Sequence, residues 1–521
     1  MKIERAKNAS RNIFFTGFLR VYQIIVPFIM RTVMIHYMGV QYLGLSSLFT
    51  SILQVLNLAE LGVGSAMVYS MYRPIALDDT VAICALLKLY RLYYRIIGLV
   101  IACIGILLTP FIPYLVKSDL PSELNIYVLY LLNLSATVFT YWLFAYKNSL
   151  FQAHQRIDVT SKISLVIDTI KYAIQFSVII VFKDFYMYVI TALLCQIISN
   201  IVTAYIASKK YPNYVPKGSI DIEESTKING RIKDLFTAKL GGVILNSADS
   251  IVISSFLGLT VLAVYQNYYF ILTAIISLLT VVFQSCTAGI GNSIIVETKE
   301  KNFRDFMKFD FIVSWIAGIC TCCFLCIVQP FMEIWVGKTL MLNMSAVVCF
   351  CVYFFTYEVN HLLNTYKDAA GMWHADRFRP LVTSLTNLVL NLVLVNKCGI
   401  YGVLLSTVIA TLFVGMPWLV RNIFSTLFNP NLQSEFIYKQ LKYLVAVIGS
   451  CILCYLLCRV VLFNSLYISV LIYLIICLAI PSIVFVICFR ATLEFKGSIE
   501  IIDRITHGKI IKSLRNDKVA R

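Results

Sequence analysis

The sequence predicts an all-α polytopic membrane protein with fourteen transmembrane helices, arranged as two pseudo-symmetric six-helix lobes and two further C-terminal helices. Three observations carry this expectation. The 521 residues are 59% hydrophobic and only 14% charged, with a mean hydropathy of +0.81, more apolar surface than one soluble core can hide. Apolar runs of about 20 residues, each long enough to cross about 30 Å of hydrocarbon as a helix, recur to the end of the chain. The basic residues are distributed unevenly between alternate loops.

In chain order the runs cover 13–37, 43–70, 96–116, 124–146, 160–182, 186–208, 236–257, 261–288, 309–333, 341–363, 380–396, 400–420, 441–463 and 466–489. The first is read as a span and not as a cleaved signal peptide, because Arg20, Pro27 and Arg31 interrupt it and no small-residue cleavage site follows a short apolar core. With the N-terminus inside, only Lys117, Lys183, Lys338, Lys397 and Arg459 fall on the outer side, and Arg20, Arg31 and Lys171 fall within runs, as does Lys239 near the inner end of run 7. Positively charged loops stay cytoplasmic, so both termini are placed inside. The net charge of +17 then reflects loop asymmetry and anionic headgroups, and a nucleic-acid partner is not expected.

The longest polar stretch, "SKKYPNYVPKGSIDIEESTKINGRIKD" from Ser208 to Asp234, follows an even number of runs. A second unit after it starts in the same orientation as the first, the arrangement of a parallel repeat. Sliding the halves over each other places Gly39 on Gly258, Gly44 on Ala263 and Arg20 on Lys239. The predicted divisions are 1–208 (first lobe, runs 1 to 6), 209–233 (cytoplasmic linker), 234–427 (second lobe, runs 7 to 12), 428–489 (runs 13 and 14) and 490–521 (basic cytoplasmic tail).

Polar stripes on these runs are the candidate functional features. At about 100° per residue, Thr16, Arg20, Gln23, Pro27 and Arg31 share an arc of about 80° on run 1. On run 5, Ser161, Ser164, Asp168, Lys171 and Gln175 share a face, and Asp168 can pair with Lys171 at three-residue spacing. Run 7 carries Lys239, Gly242, Asn246 and Ser250 with Asp249 at the margin, and run 11 carries Ser384, Asn387 and Asn391. Ionisable groups cost at least about 2.5 kcal/mol each at mid-bilayer, so such stripes face partners or water-filled cavities. For run 11, hydrogen bonding between helices is an equal alternative.

Glu60 is the one charged residue between Tyr42 and Tyr72. Its depth on run 2, roughly 18 Å from the inner end at 1.5 Å per residue, lies between those of Arg20 and Arg31, and pairing with one of them is expected. That pair is either static, or an acid holding an arginine until a substrate or ion displaces it. Gly62 and Ala66 give the small-xxx-small spacing of close helix approach. Other motifs are set aside. "WVGKT" at Trp335 to Thr339 lacks the first glycine of a nucleotide loop, which is Met332 here. "CTCCFLC" at Cys320 to Cys326 lies inside run 9, where cysteine behaves as a small apolar residue. Glu358 and His361 share a face, but none of the five histidines stands in a metal-hydrolase spacing. No catalytic site, metal or organic cofactor is expected.

The stretches "GVQYLGLSSLFTSILQVLNLAELGVGSAMVYSMYRPIALDD", "GGVILNSADSIVISSFLGLTVLAVYQNYYFI" and "DAAGMWHADRFRPLVTSLTNLVLNLVLVNKCGIYGVLLSTVIATL" resemble the Wzx-type oligosaccharide flippases. These form the polysaccharide-export branch of the multidrug/oligosaccharidyl-lipid/polysaccharide exporter superfamily. The resemblance covers nearly the whole chain. It implies two six-helix lobes in a V around a central cavity, and transfer of an undecaprenyl-pyrophosphate-linked oligosaccharide repeat unit from the inner to the outer leaflet of the bacterial cytoplasmic membrane, by alternating access without ATP hydrolysis.

Within that resemblance, Arg20, Arg31 and Lys239 are the positions that fit cavity-lining cations. Charge-assisted hydrogen bonds from such groups can replace the hydration of a pyrophosphate. Gln23, Lys171 and Asn246 join them as substrate-side candidates, with Gln284, Asn267 and Tyr268 as further sugar contacts. The polyprenyl tail could stay in lipid, through a lateral opening near runs 1 and 8. Glu60, Asp168 and Asp249 are the candidate coupling or structural acids for H⁺ or Na⁺, because neutralising a buried acid biases two-state access. Membrane lipids, and a polysaccharide polymerase with chain-length proteins, are the implied partners. Competing readings are a lipid II or teichoic-acid precursor flippase, a multidrug or cation antiporter of the same superfamily, and a non-transport scaffold. The tail, with Ile502, Ile505 and Ile510 among basic residues, is either an amphipathic surface helix or a plain basic extension.

Overall fold

The computed structural model describes residues 5–117, 120–461 and 465–505. Among the described residues every regular element is helical. The α-helices are α1 (Arg5–Tyr37), α2 (Val40–Leu56), α3 (Val63–Ala76), α4 (Thr80–Leu108), α5 (Ile126–Trp142), α6 (Asn148–Ala153), α7 (Ile157–Ser177), α8 (Phe185–Lys210), α9 (Ile222–Leu257) and α10 (Leu259–Val296). They continue as α11 (Lys299–Val336), α12 (Met344–Ala369), α13 (Trp373–Asp376), α14 (Arg379–Cys398), α15 (Ile400–Ala410), α16 (Met416–Thr426), α17 (Gln433–Val460), α18 (Leu466–Phe489) and α19 (Leu493–Ile505). Thirteen helices among the described residues are long and apolar enough to cross a membrane, and the pair Ile126–Trp142 and Ala145–Ala153, bent by 51°, supplies the fourteenth if it is one span. The chain is a multi-pass membrane protein.

Helix starts follow local chemistry. Asp79, Asn125, Asp184 and Thr298 each accept a backbone N–H from the first turn of α4, α5, α8 and α11, filling donors that have no partner inside the helix. Gly39 and Gly258, which the repeat alignment superposes, occupy the same structural place. Each separates two consecutive long helices, at φ +120° and +97°, a region open to glycine without steric cost.

Two runs depart from straight spans. Run 2 is broken: α2 stops at Leu56, a 3₁₀ turn covers Asn57–Glu60, and α3 restarts at Val63. Gly62 makes the break, at φ +88°, and a Cβ there would stand 2.6 Å from Cβ of Leu235 on α9. Run 4 bends at residues 143–144, where Phe144 has φ +61°.

The chain divides into two compact units, Met1–Gln266 with Pro380–Val403, and Asn267–Arg379 with Leu404–Arg521. These do not follow the boundary at 209–233. The gap between α8 and α9 is only residues 211–221, and α9 and the 380–403 segment belong to unit 1. Glycine contacts explain the grouping: a Cβ on Gly241 would fall 2.2 Å from the carbonyl carbon of Pro380, and one on Gly44 2.2 Å from the carbonyl oxygen of Leu259.

Unit 2 is built around α11, which packs against α12, α17, α18 and α19. Phe303, Phe306, Tyr366, Phe424, Phe428 and Phe436 form an aromatic core. Arg379 clamps the turn before α14 with 2.7 Å bonds from Nε and Nη2 to the two carboxylate oxygens of Asp376. The start of the tail is a docked helix: on α19, Glu494 pairs with Lys439, Ser498 donates to the carbonyl of Lys308 at 3.3 Å, and Phe495 meets Phe311 at 5.9 Å. The side chains of Ile502 and Ile505, and all of 506–521 with Ile510, lie outside the described residues.

Candidate functional site

Unit 1 contains a partly open cavity of about 770 Å³ lined by α1, α4, α5, α6, α7, α8 and the 3₁₀ turn of the broken run 2. The break puts Glu60 into it. The 3₁₀ turn Asn57–Glu60 brings the carboxylate to Tyr94, whose hydroxyl donates to Oε1 at 3.1 Å. Tyr90, one helical turn earlier on α4, donates in turn to the Tyr94 hydroxyl at 2.7 Å. Gly64 leaves room for this group, since a Cβ there would lie 3.1 Å from both Glu60 Oε1 and the Tyr90 hydroxyl. Tyr141 packs edge-on against Tyr94 with ring centres 5.3 Å apart and donates to Asn57 Oδ1 at 3.2 Å.

The opposite wall is α7. Lys171 donates to Asp168 Oδ1 at 2.6 Å, the pairing expected from their spacing. The ammonium also lies 4.2 Å from the ring centre of Tyr172, so one cation is shared between a carboxylate and an aromatic face. Gln23 and Pro27 of α1 and Ser164 of α7 line the same space. Thr16 and Ser161, lower on the two stripes, place their hydroxyls 3.4 Å apart. The α1 and α7 stripes therefore share an interior. Its charged lining, Glu60 and Asp168 against Lys171, has one more carboxylate than ammonium.

A second polar cluster joins α9 to α14. Asn391 Nδ2 donates to Asp249 Oδ1 at 2.7 Å and to Asn387 Oδ1 at 3.3 Å, and both asparagines are fully buried. The run 11 stripe thus bonds between helices, and it does so to an acid. Next to it, Gln266 donates to Ser250 Oγ at 2.9 Å.

The pairing of Glu60 with an arginine is corrected. The hydrogen bond described at Glu60 comes from Tyr94, and Arg31 reaches the backbone carbonyl of Gln266 at 3.5 Å. The 3₁₀ turn after Leu56 sets Glu60 within hydrogen-bond reach of Tyr94 on α4. Arg20, Gln23, Lys239 and Asn246 are exposed, and Lys239 donates to Ser65 Oγ at 3.2 Å. Lys171, expected beside the substrate, stands with Asp168 in the unit 1 cavity. Asn267 and Tyr268 are fully buried in unit 2, Tyr268 donating to Gln329 at 2.9 Å, so neither offers a free edge to a sugar; Gln284 is exposed. Glu358 and His361 are 3.6 Å apart.

Sequence reasoning missed Tyr94 and the α8 wall. Gln196, Ser199, Asn200 and Thr203 line the cavity at i, i+3, i+4, i+7, a helical face legible in the sequence. Tyr94 was hidden because its role depends on the break in run 2. Tyr94→Phe is expected to remove about 1.5–3 kcal/mol, the scale of a hydrogen bond to a charged group. Unfolding of the purified protein in detergent measures it, and Tyr93→Phe, which alters an exposed bond to Asn229, is expected to change little.

A family profile described as "Polysaccharide biosynthesis protein" matches residues 9–288. No curated protein matches. Among solved structures, a lipid II flippase MurJ in an inward closed conformation is similar, with a TM-score of 0.66 at 15% identity over 92% of this chain and 98% of that one. An inward-facing multidrug resistance MATE transporter of the MOP superfamily matches with a TM-score of 0.59 at 14% identity, over 79% of this chain and 98% of that one. A MOP superfamily transporter from Pyrococcus furiosus, described as having a binding pocket of reversed polarity, gives a TM-score of 0.50 at 14% identity over 81% and 96%. At these identities the structures establish a shared fold. With more than half of the sequence matched by one profile and the helical arrangement common to MurJ and MATE transporters, this chain belongs to the polysaccharide biosynthesis protein family and has the fold of the MOP superfamily.

Proposed function

We propose that the chain is a flippase, not an enzyme, that moves undecaprenyl-pyrophosphate-linked oligosaccharide repeat units from the inner to the outer leaflet of the bacterial cytoplasmic membrane. Its product feeds surface polysaccharide synthesis, whether O-antigen, capsule or exopolysaccharide, in the manner of Wzx-type proteins. The observation that carries this reading is the polysaccharide biosynthesis profile over residues 9–288. The cation pattern supports it: Arg20 and Arg31 on α1 and Lys239 on α9 are suited to a pyrophosphate, with Gln23 and Asn246 beside them. Both termini face the cytoplasm, and a polymerase and chain-length proteins act downstream.

The cycle is alternating access driven by H⁺, Na⁺ or the membrane potential. The excess carboxylate of the unit 1 cavity is its ion-responsive group, in Glu60 and in the Asp168–Lys171 pair, and Asp249 with Asn387 and Asn391 is a second. A ligand shifts such an equilibrium only through different affinities for the two states. A buried acid, charged in one state and neutralised in the other, supplies that difference. Lipid II or teichoic-acid precursors are alternative cargoes. A MATE-like drug antiporter accounts for less of the chain, since the MATE structure covers 79% of it against 92% for the lipid II flippase.

Deletion of the gene, with membrane pools of lipid-linked oligosaccharide and surface glycan both quantified, tests the assignment. The lipid-linked pool is expected to rise and the surface glycan to fall. Complementation with wild type restores both, and Arg31→Gln, though present in the membrane, restores at most about a tenth of export, the loss of one charge-assisted hydrogen bond of about 1.5–3 kcal/mol. Unchanged pools on deletion would remove the substrate assignment.

A further inference from the structure

Cysteine sulfurs from three helices of unit 2 converge on one point. Cys326 on α11, Cys458 on α17 and Cys477 on α18 are buried, and their Sγ atoms all lie within 4.8 Å of one another. Taken singly, each is a small apolar residue in a hydrophobic helix. Together they are three soft ligands brought from distant parts of the sequence. The zone around them is rich in sulfur: Cys322 and Cys451 stand 3.5 Å apart, and Cys323 and Cys454 border Cys477. Close approach of the helices is built in at Gly318, where a Cβ would stand 2.8 Å from Cγ2 of Val447 on α17.

We propose that Cys326, Cys458 and Cys477 form a binding site for one Cu(I) ion, which on binding staples α17 and α18 to α11. Spacing is the first argument. A metal–sulfur bond of about 2.3 Å places three sulfurs in a trigonal plane about 4 Å apart, within the separation found here, whereas a disulfide requires about 2.05 Å. Ligand softness is the second, because thiolates select Cu(I) over hard cations.

Coordination number decides between soft ions. Zn(II) prefers a tetrahedral set and needs a fourth ligand, whereas three sulfurs complete the trigonal plane of Cu(I). The sulfurs bind as thiolates, so each of the three thiols gives up one proton to water as the ion enters, and no electron is transferred. In the ion-free protein Cys477 is a thiol, its Sγ–H donating to the carbonyl of Cys322 at 3.4 Å.

The test uses the reduced full-length protein in lipid nanodiscs, without oxygen, titrated with the Cu(I)–bicinchoninate complex, whose colour bleaches as copper is transferred. One Cu(I) per chain is expected. Cys326→Ser, Cys458→Ser and Cys477→Ser are each expected to weaken transfer at least tenfold, and copper-edge X-ray absorption is expected to show three sulfur neighbours. A chain with Cys103→Ser, Cys398→Ser and Cys488→Ser, which removes exposed thiols, is expected to bind as wild type. Alanine replacements serve at any trio position where serine prevents folding. Wild-type transfer by the trio variants, loss of transfer with the exposed set, fewer than three sulfur neighbours, or binding of Zn(II) but not Cu(I) would each overturn the proposal.

Discussion

Lys171→Met is expected to lower the stability of the protein by about 3 kcal/mol and to stop export, and adding Asp168→Asn to the same chain is expected to restore stability without restoring export. Asp168 and Lys171 are 2.6 Å apart, and each side chain is only about a fifth exposed, at 22% and 21%. Removing one member strands the other, and an uncompensated buried charge costs about 3–5 kcal/mol. The lower end applies because the pair borders a cavity that can hold water. Neutralising both members leaves an amide and an apolar stem in the same volume and removes the stranded charge. The double variant therefore separates a structural pair from a working one. If it exports normally, the pair only holds α7 in place, and the coupling role passes to Glu60 or Asp249. Thermal unfolding in detergent and the surface glycan assay are read together on all four chains of the cycle.

The second large effect distinguishes adjacent glycines. Gly241→Ala is expected to prevent accumulation of folded protein, and Gly242→Ala to leave it unchanged or slightly more stable. A Cβ on Gly241 would fall 2.2 Å from the carbonyl carbon, 2.3 Å from the carbonyl oxygen and 2.6 Å from the next amide nitrogen at Pro380 and Leu381, while one on Gly242 meets nothing within 4 Å. Overpacking normally costs about 1–3 kcal/mol when side chains can shift. Here the obstacle is backbone, so relief requires α9 and the start of α14 to separate, and the cost exceeds that range. At Gly242, inside a helix and in open space, alanine gains about 0.5–1 kcal/mol of helix preference. Size-exclusion profiles of the two proteins in detergent measure the contrast. Equal behaviour would mean that α9 and α14 do not meet at Gly241.

These two cases also mark what the sequence makes legible. The fourteen runs stand as spans, with the bent Ile126–Trp142 and Ala145–Ala153 pair taken as one, because length and hydropathy are local properties. The Asp168–Lys171 pair and the shared interior of the α1 and α7 stripes follow from helical periodicity, which the fold preserves. Gly39 and Gly258 were matched by a weak repeat signal, and their positive φ values give that match a physical basis. The break at Gly62 was not legible. "GVGSA" is compatible with a continuous small-residue face, and only the proximity of Leu235 selects the turn. Because Glu60 sits on that turn, its partner was misassigned, and Tyr94 was overlooked with it. The grouping of α9 and the 380–403 segment with unit 1 was equally hidden, since it depends on contacts between residues more than a hundred positions apart.

The most direct measurement places the purified protein in liposomes containing an undecaprenyl-pyrophosphate-linked oligosaccharide on both leaflets, and follows the fraction that an external glycosidase can cleave. Wild-type protein is predicted to raise cleavage from the outer-leaflet half toward completion, without ATP and faster under an imposed H⁺ or Na⁺ gradient, while Arg31→Gln stays near the protein-free level. Cleavage that stops at half with correctly folded wild-type protein under every gradient would contradict flipping of this lipid, and with it the central claim.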